Sequence, residues 1–247
     1  MPVNVLYTDL SDCYDLMCAG IDYAGQSHGA HRLQQLLGNG GVRHLDLACG
    51  TGPHVRHFLD AGYCSSGLDI NQPMLDKAAA RCPQAHFALQ DMCAFTVDTP
   101  QDLITCFLYS LHYSASLERL RACIASVHAA LATGGLFCFN AVDKQRIDNA
   151  LFATHTANVE GGSFTFRSSW HYGGQGERQS LRLAIEQHHA GERRVWHDEH
   201  PMVAVTFAEL RGLLQPGFEV HVLAHDYDSI QPCDRNAGNA LFACVKR

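Results

Sequence analysis

The chain has 247 residues, a net charge of −7 and 47% hydrophobic content, which suits one domain of ordinary size with room for an insertion and a core to match. The acidic balance argues against a nucleic-acid partner, whose binding surface needs a basic stripe, and no apolar run approaches the ~18 residues of a membrane span. Residues 1–10 lack a signal peptide's basic cluster, and eleven cysteines are scattered singly without a Cys-x-x-Cys pair, the pattern of reduced thiols in a cytoplasmic protein.

Residues 5–37 read as a helical region broken at Ala19-Gly20 and ended by the stretch from Gly38 to Gly41. Residues 42–48 are largely apolar, as a central parallel strand should be, with Asp46 near the carboxyl end, where open α/β sheets place their ligands. Gly50 and Gly52 then permit a tight turn, and Pro53 suits the first turn of a helix over residues 54–61. This is not a phosphate loop, because Pro53-His54 stand where a Lys-Ser or Lys-Thr pair is needed. The dinucleotide fingerprint also fails, because Val55 occupies the third glycine position. Asp46 would repel a pyrophosphate and attract a cation. A ligand bearing an ammonium group and a sulfonium, such as S-adenosylmethionine (SAM), fits that demand.

Further signals follow in order. Gly67-Leu68-Asp69-Ile70 ends a second strand with an acid, roughly 20 residues past the glycines, a position suited to ribose hydroxyls. Residues 73–81 read as a helix carrying Met74, and residues 85–89 as a strand followed by Gln90-Asp91-Met92. Residues 103–108 read as a fourth strand, residues 116–131 as a helix packed on the sheet, and Gly134-Gly135 opens a fifth strand. Residues 143–157 look like a helix and loop of low regularity. Three alternating runs, 163–172, 179–189 and 194–205, read as an antiparallel sheet with breaks at Gly173-Gly174 and Ala190-Gly191. A helix over 207–214 and a hairpin of 218–225 with 239–245 close the chain.

The run LDLACGTG resembles the first motif of class I SAM-dependent methyltransferases, and Asp69, Asp91 and the later strands supply that family's remaining signals over roughly residues 40–140. The closest resemblance is to the N,N-dimethyltransferases of deoxyaminosugar biosynthesis, which share Tyr-Asp-Leu, then Asp-Tyr, then a helix into the first motif; glycine N-methyltransferase is a more distant likeness. It implies an α/β fold: a Rossmann-like seven-stranded class I methyltransferase sheet, helices on both faces, and an inserted antiparallel β-sheet. The implied division is a helical lid at 1–41, a SAM-binding core at 42–142, the inserted sheet at 143–205 and a closing helix and hairpin at 206–247. The implied reaction is methyl transfer from SAM, leaving S-adenosylhomocysteine, to a nitrogen or oxygen of a small molecule.

For the cofactor the resemblance and the local chemistry together single out Tyr14, Tyr23, Asp46, Ala48, Cys49, Gly50, Gly52, Asp69, Ile70, Met74, Asp91, Met92, Phe107 and Leu108. Among Gln26, His28, His31 and Arg32, one or two could reach the SAM carboxylate. His54 is expected to be exposed, with contact to the ligand as the alternative, since it sits one turn from the glycines. Beyond the fourth strand, His112 is the candidate base, since a neutral imidazole can take a proton near pH 7. Tyr14 and Tyr109 are the other candidates for the chemistry, and Tyr113, Arg167, Trp170 and His171 for acceptor binding. Four histidines at 188, 189, 197 and 200 do not make a metal site, because positions i and i+3 on a strand face opposite sides. The expected partner is a small-molecule substrate, with the inserted sheet forming the acceptor pocket or a homodimer interface. The alternatives are a methyltransferase acting on RNA or protein and a SAM-binding module without catalysis.

Overall fold

A computed structural model describes residues 11–247; residues 5–10 of the expected helical region lie outside that range. Helix α1 spans Ser11–Met17 and α2 spans Tyr23–Leu37, broken where Ala19-Gly20 fall. Asp22 caps α2 by accepting from Gly25 N at 2.8 Å, the bond that stops a helix start from leaving its amides unpaired.

Strand β1 (Arg43–Leu47) leads into α3 (Pro53–Asp60), β2 (Cys64–Asp69), α4 (Gln72–Arg81), β3 (His86–Leu89) and β4 (Gln101–Cys106). Helix α5 (Leu117–Ala130) runs directly into β5 (Leu131–Val142). The sheet is closed by α6 (Phe207–Leu214), β10 (Phe218–Ala224) and β11 (Asn239–Lys246). The strand order is β10-β11-β5-β4-β1-β2-β3, parallel from β5 to β3, with β11 antiparallel to β5 and β10 antiparallel to β11.

Side-chain alternation divides the core into two layers. Leu45, Leu47, Ile104, Phe137, Phe139 and Phe242 face α5 and α6, whereas Leu103, Leu136, Cys138 and Leu241 face Ala30 and Leu33 of α2 and Phe58 of α3. The seven-stranded sheet with helices on both faces is therefore as expected. Among the described residues no helix is long and apolar enough to cross a membrane.

The second sheet holds β6 (Ala153–Val159), β7 (Gly162–Tyr172), β8 (Arg178–His189) and β9 (Glu192–Val203), in that order. It has four strands where three were expected, because residues 153–159 form a strand rather than part of a helix and loop. The reason is legible afterwards: β6 is an edge strand, half exposed along its length, so burial imposes no apolar alternation on Thr154, Thr156 and Asn158. Its pairing with β7 holds it instead, with His155 opposite Phe166. One face of this sheet, built from Phe164, Phe166, Leu183 and Ile185, packs on Leu16 and Met17 of α1.

Candidate functional site

The site lies at the carboxyl ends of β1, β2 and β4. Ala48, Gly50 and Gly52 all take left-handed backbone conformations, with φ of 51°, 53° and 79°. For Ala48 this is a strained geometry of the kind that clusters at binding sites. Asp46 sits between Gly67 of β2 and Thr105 of β4 in the parallel register. It is 2% exposed, and its Oδ1 accepts from Thr105 Oγ1 at 2.6 Å. Burial pushes its pKa up to about 7 against the pull of the Thr105 bond, and Asp69 pushes it further. Asp69 straps the glycine turn to β2, accepting from Gly50 N at 3.0 Å and from Asn71 N at 2.9 Å. Burial raises its pKa as well.

A narrow cleft opens above this turn. Of the residues expected there, it is lined by Tyr14, Tyr23, Asp46, Ala48, Cys49, Phe107 and Leu108; Pro53, His54 and Ser110 complete it. No lysine or arginine lines it. Helix α1 is latched over the turn by Asp15, which accepts from Thr51 Oγ1 and from Arg81 Nη2, both at 2.6 Å. This brings Tyr14 over Gly50, where a Cβ would stand 3.7 Å from the Tyr14 ring.

His54 is buried rather than exposed, a correction. Its ring lies between Tyr23 and Phe107, with centroids 5.0 and 4.8 Å away. Its Nδ1 is 3.0 Å from Ser27 Oγ, and its buried Nε2 has no hydrogen-bond partner among the described residues. Burial pushes its pKa down to about 3, so it is a neutral imidazole on the wall of the cleft. His31 and Arg32 are turned elsewhere, the first 2.9 Å from Tyr63 OH and the second donating to Asp228 O at 2.6 Å.

Four further candidates follow β2 and β3 in the chain. Ile70 is exposed at the tip of β2, whereas Met74 and Met92 are buried in the core. Asp91 accepts from Arg119 Nη2 at 2.6 Å and from Cys93 N at 2.8 Å. Partial burial raises its pKa, but these two bonds outweigh that and hold it below the usual range.

On the acceptor side, β4 ends at Cys106, two residues earlier than expected, because Leu108 and Tyr109 take consecutive left-handed conformations, with φ of 53° and 62°. Asn140 of β5 stabilises the bend: its Oδ1 accepts from Tyr109 N and its Nδ2 donates to His225 Nε2, both at 3.0 Å. Tyr109 lies against Trp170 and His225, with centroids 5.5 and 5.7 Å away. Burial pushes its hydroxyl up to about 12, so it stays protonated. Asn140 and His225 are not among the residues that the sequence singles out. A lone Asn inside an apolar strand, two residues beyond the level of Asp46, is the signal that could have marked the first.

Both ring nitrogens of His112 are engaged within the fold. Its Nδ1 donates to Val203 O at 2.9 Å, and its Nε2 accepts from Val142 N at 3.1 Å. Both nitrogens are thus spent on backbone, and burial pushes its pKa down to about 4. Tyr113 is tied to β9 through its hydroxyl, 2.6 Å from His200 Nδ1. The alternation of β7 that brings Trp170 to Tyr109 puts Arg167 and His171 on the opposite face, where Arg167 lies over exposed Phe152 at 5.6 Å. Neither converges on the site. No cluster of three potential metal ligands occurs among the described residues.

Residues 45–135 match the family model described as a methyltransferase domain, the stretch that carries the glycine turn and both buried acids. The chain is similar to dTDP-3-amino-3,4,6-trideoxy-alpha-D-glucopyranose N,N-dimethyltransferase of Streptomyces venezuelae, 32% identical over 52% of this chain and 55% of the relative. It spans about half the length of the curated relatives it matches. Among solved structures it is similar to Streptomyces venezuelae DesVI, with a TM-score of 0.83 and 24% identity over 97% of this chain and 99% of that one. SAM-bound CalS10, an amino pentose methyltransferase from Micromonospora echinaspora, gives a TM-score of 0.80 and 19% identity over 95% of each. The fold is that of the class I methyltransferases.

Proposed function

We propose that this chain is a SAM-dependent methyltransferase that transfers methyl groups to the amine of a small molecule, with an aminodeoxy sugar as the acceptor class. The observation that carries the donor half is Asp46, a buried carboxylate on the wall of a cleft without a basic residue. Such a group is costly unless a cation joins it, and the donor's ammonium supplies one. The unpartnered His54 Nε2 on the same wall offers a donor for the carboxylate of the amino acid tail. The acceptor half rests on the relatives, whose names state amino sugars, and on the aromatic wall of Tyr109 and Trp170 beside the cleft.

Bound SAM would supply an electrophilic methyl on a sulfonium. In this reading, Asp46 and the Gly50–Gly52 backbone hold the amino acid tail, Asp69 the ribose hydroxyls, and Ile70 and Asp91 border the adenine. Tyr14, carried on the latched α1, closes the turn against water. Tyr109 and Trp170 place the acceptor nitrogen, and Asn140 fixes where Tyr109 sits. The sulfonium charge is lost as the methyl leaves, so a strong base is unnecessary; in-line placement alone is worth up to ~7–11 kcal/mol. This accommodates His112 as a structural residue. The division into lid, core, inserted sheet and closing hairpin is part of the proposal, with the inserted sheet roofing the acceptor side through Trp170. So are a cytoplasmic location and assembly as a homodimer, the latter read directly by sedimentation.

The test is calorimetric titration with S-adenosylhomocysteine, followed by incubation with SAM and a panel of aminodeoxy sugar nucleotides, their hydroxy counterparts, RNA and protein. Products heavier by one CH₂ unit per transfer are expected from the amino sugars. Transfer to RNA or protein only, or binding of the donor without turnover on any acceptor, would refute the acceptor reading.

A further inference from the structure

Behind Asp46 runs a buried chain of polar side chains. His44 and Asp46 are two residues apart on β1 and share one face of the sheet. Ser65 of β2 stands opposite His44, and Thr105 of β4 opposite Asp46. His44 Nδ1 is 2.7 Å from Ser65 Oγ, and its Nε2 is 2.8 Å from Thr105 Oγ1. Thr105 Oγ1 in turn donates to Asp46 Oδ1. His44 and Thr105 have no exposed surface, and the imidazole packs on Phe58, with centroids 3.9 Å apart.

The hydrogens of this chain can be assigned. A threonine hydroxyl has one hydrogen, and Thr105 gives it to the carboxylate. It therefore accepts from His44 Nε2–H, which leaves Nδ1 to accept from the Ser65 hydroxyl in a neutral ring. The donors run in one direction, Ser65 to His44 to Thr105 to Asp46. We propose that Thr105 and His44 are positioning residues for the methyl donor: they hold Asp46 Oδ1 and so reserve its second oxygen, as an anion, for the ammonium of the amino acid tail. The proposal rests on the donor reading above.

The charge state of Asp46 depends on what faces it. Asp69 stands on β2, Thr105 and the Cys106 thiol on β4, His44 on its own strand and Cys49 on the turn. Tyr14, Tyr23 and His54 share the cleft. None is cationic. Burial raises the Asp46 pKa and Asp69 adds to that; the Thr105 bond is the one contact that opposes them. Hydrogen bonds to the charged form of an acid favour that form, so removing the hydroxyl should make Asp46 harder to ionise.

The variant is Thr105→Val, which keeps the shape and deletes the hydroxyl. Two readouts apply. In the free protein, ¹³C-carboxyl NMR should show Asp46 titrating about one pH unit higher, which corresponds to about fivefold weaker S-adenosylhomocysteine binding at pH 7, where the wild-type carboxyl is half ionised, and converging affinities above pH 9. Thr105→Ser should restore both, and His44→Phe should shift both in the same direction by less. An unchanged titration, or an affinity loss of the same size at every pH, would overturn the proposal. If Thr105→Val does not fold, Thr105→Ser with wild-type behaviour and His44→Phe with a displaced titration support it, and an undisplaced titration in His44→Phe refutes it. If the wild-type protein binds no S-adenosylhomocysteine, the donor reading fails, while the NMR titrations still judge the positioning.

Discussion

Asn140→Ala tests whether the bend at Leu108-Tyr109 shapes the acceptor side. Asn140 is 1% exposed and makes two hydrogen bonds, one from Tyr109 N and one to His225 Nε2. Each such bond contributes about 0.5–1.5 kcal/mol net, and a buried amide left unpaired costs about 1–3 kcal/mol more. Two adjacent left-handed residues without glycine also store about 1–3 kcal/mol each, which the surrounding contacts must hold in place. We expect a total loss of about 2–4 kcal/mol, which for a chain of this size lowers Tm by roughly 5–15 °C. Function should change unevenly. Misplacing Tyr109 by about 1 Å should lower kcat/KM for the acceptor on the order of 100-fold. Donor affinity should stay within about threefold, because no donor contact passes through Asn140. Thermal unfolding, calorimetry with S-adenosylhomocysteine and steady-state kinetics give the three numbers. Donor binding that weakens in step with acceptor turnover would refute the separation of the two halves of the site.

Other consequences are as direct. Asp69→Ala should raise the SAM dissociation constant at least tenfold, the effect of losing ~1.4 kcal/mol; an unchanged calorimetric affinity would remove Asp69 from the donor site. Trp170→Ala should raise the acceptor KM while sparing donor affinity, because Trp170 touches Tyr109 and His112 rather than the glycine turn; equal losses in both would place it differently. Buried His54 and His112 have pKa values pushed down to about 3 and 4, and that of His44 is also lowered. The unfolded chain takes up these protons near pH 6.5 and the folded chain refuses them. Stability is therefore full above about pH 6.5 and falls as pH drops towards 4, by up to ~1.4 kcal/mol per unit for each group. Asp46, with its raised pKa, works in the opposite direction, losing its contribution as pH rises through about 7. Urea unfolding between pH 4 and 7 reads the net slope, and His112→Gln should flatten its acid side.

The donor half of the site was legible in the sequence because backbone chemistry writes it locally. A strand, an acid, two glycines and a proline within a dozen residues leave few alternatives, and Asp69 and Gly50 meet in space as their spacing suggests. The acceptor half was not, because it is assembled across long separations. His112 looked like a base, since a histidine past the fourth strand is where one would be useful. Its role is set by Val203 and Val142, residues that no local pattern connects to it. Asn140, His225 and Trp170 come from three different strands or their ends and converge only through the fold. Edge strand β6 was missed for a related reason: a half-exposed strand is held by its partner, not by its own periodicity.

Asp46 and Asp69 stand on neighbouring strands, both buried and both with raised pKa values, and Asp69 raises the cost of ionising Asp46. A core assembled for stability alone would replace one of them or pair it with a base. Here the paired position is occupied instead by Gly67, which stands opposite Asp46 and where a Cβ would come within 2.7 Å of Cys49 Sγ. Arg81 is committed to Asp15 of α1, not to either acid. The strained Ala48 and Leu108 border the same space. Unpaired charge and backbone strain thus fall together where three strands end, and a cationic ligand relieves the first without disturbing the second. It follows that donor binding should stabilise the protein beyond the acids' own contacts, by about 2.7 kcal/mol at a hundredfold excess over Kd. That gain should shrink in Asp46→Asn, which lowers the cost of the empty site as well as the affinity of the filled one. If Asp46→Asn were instead less stable than the wild type without donor, the acid would be serving the fold and not the ligand.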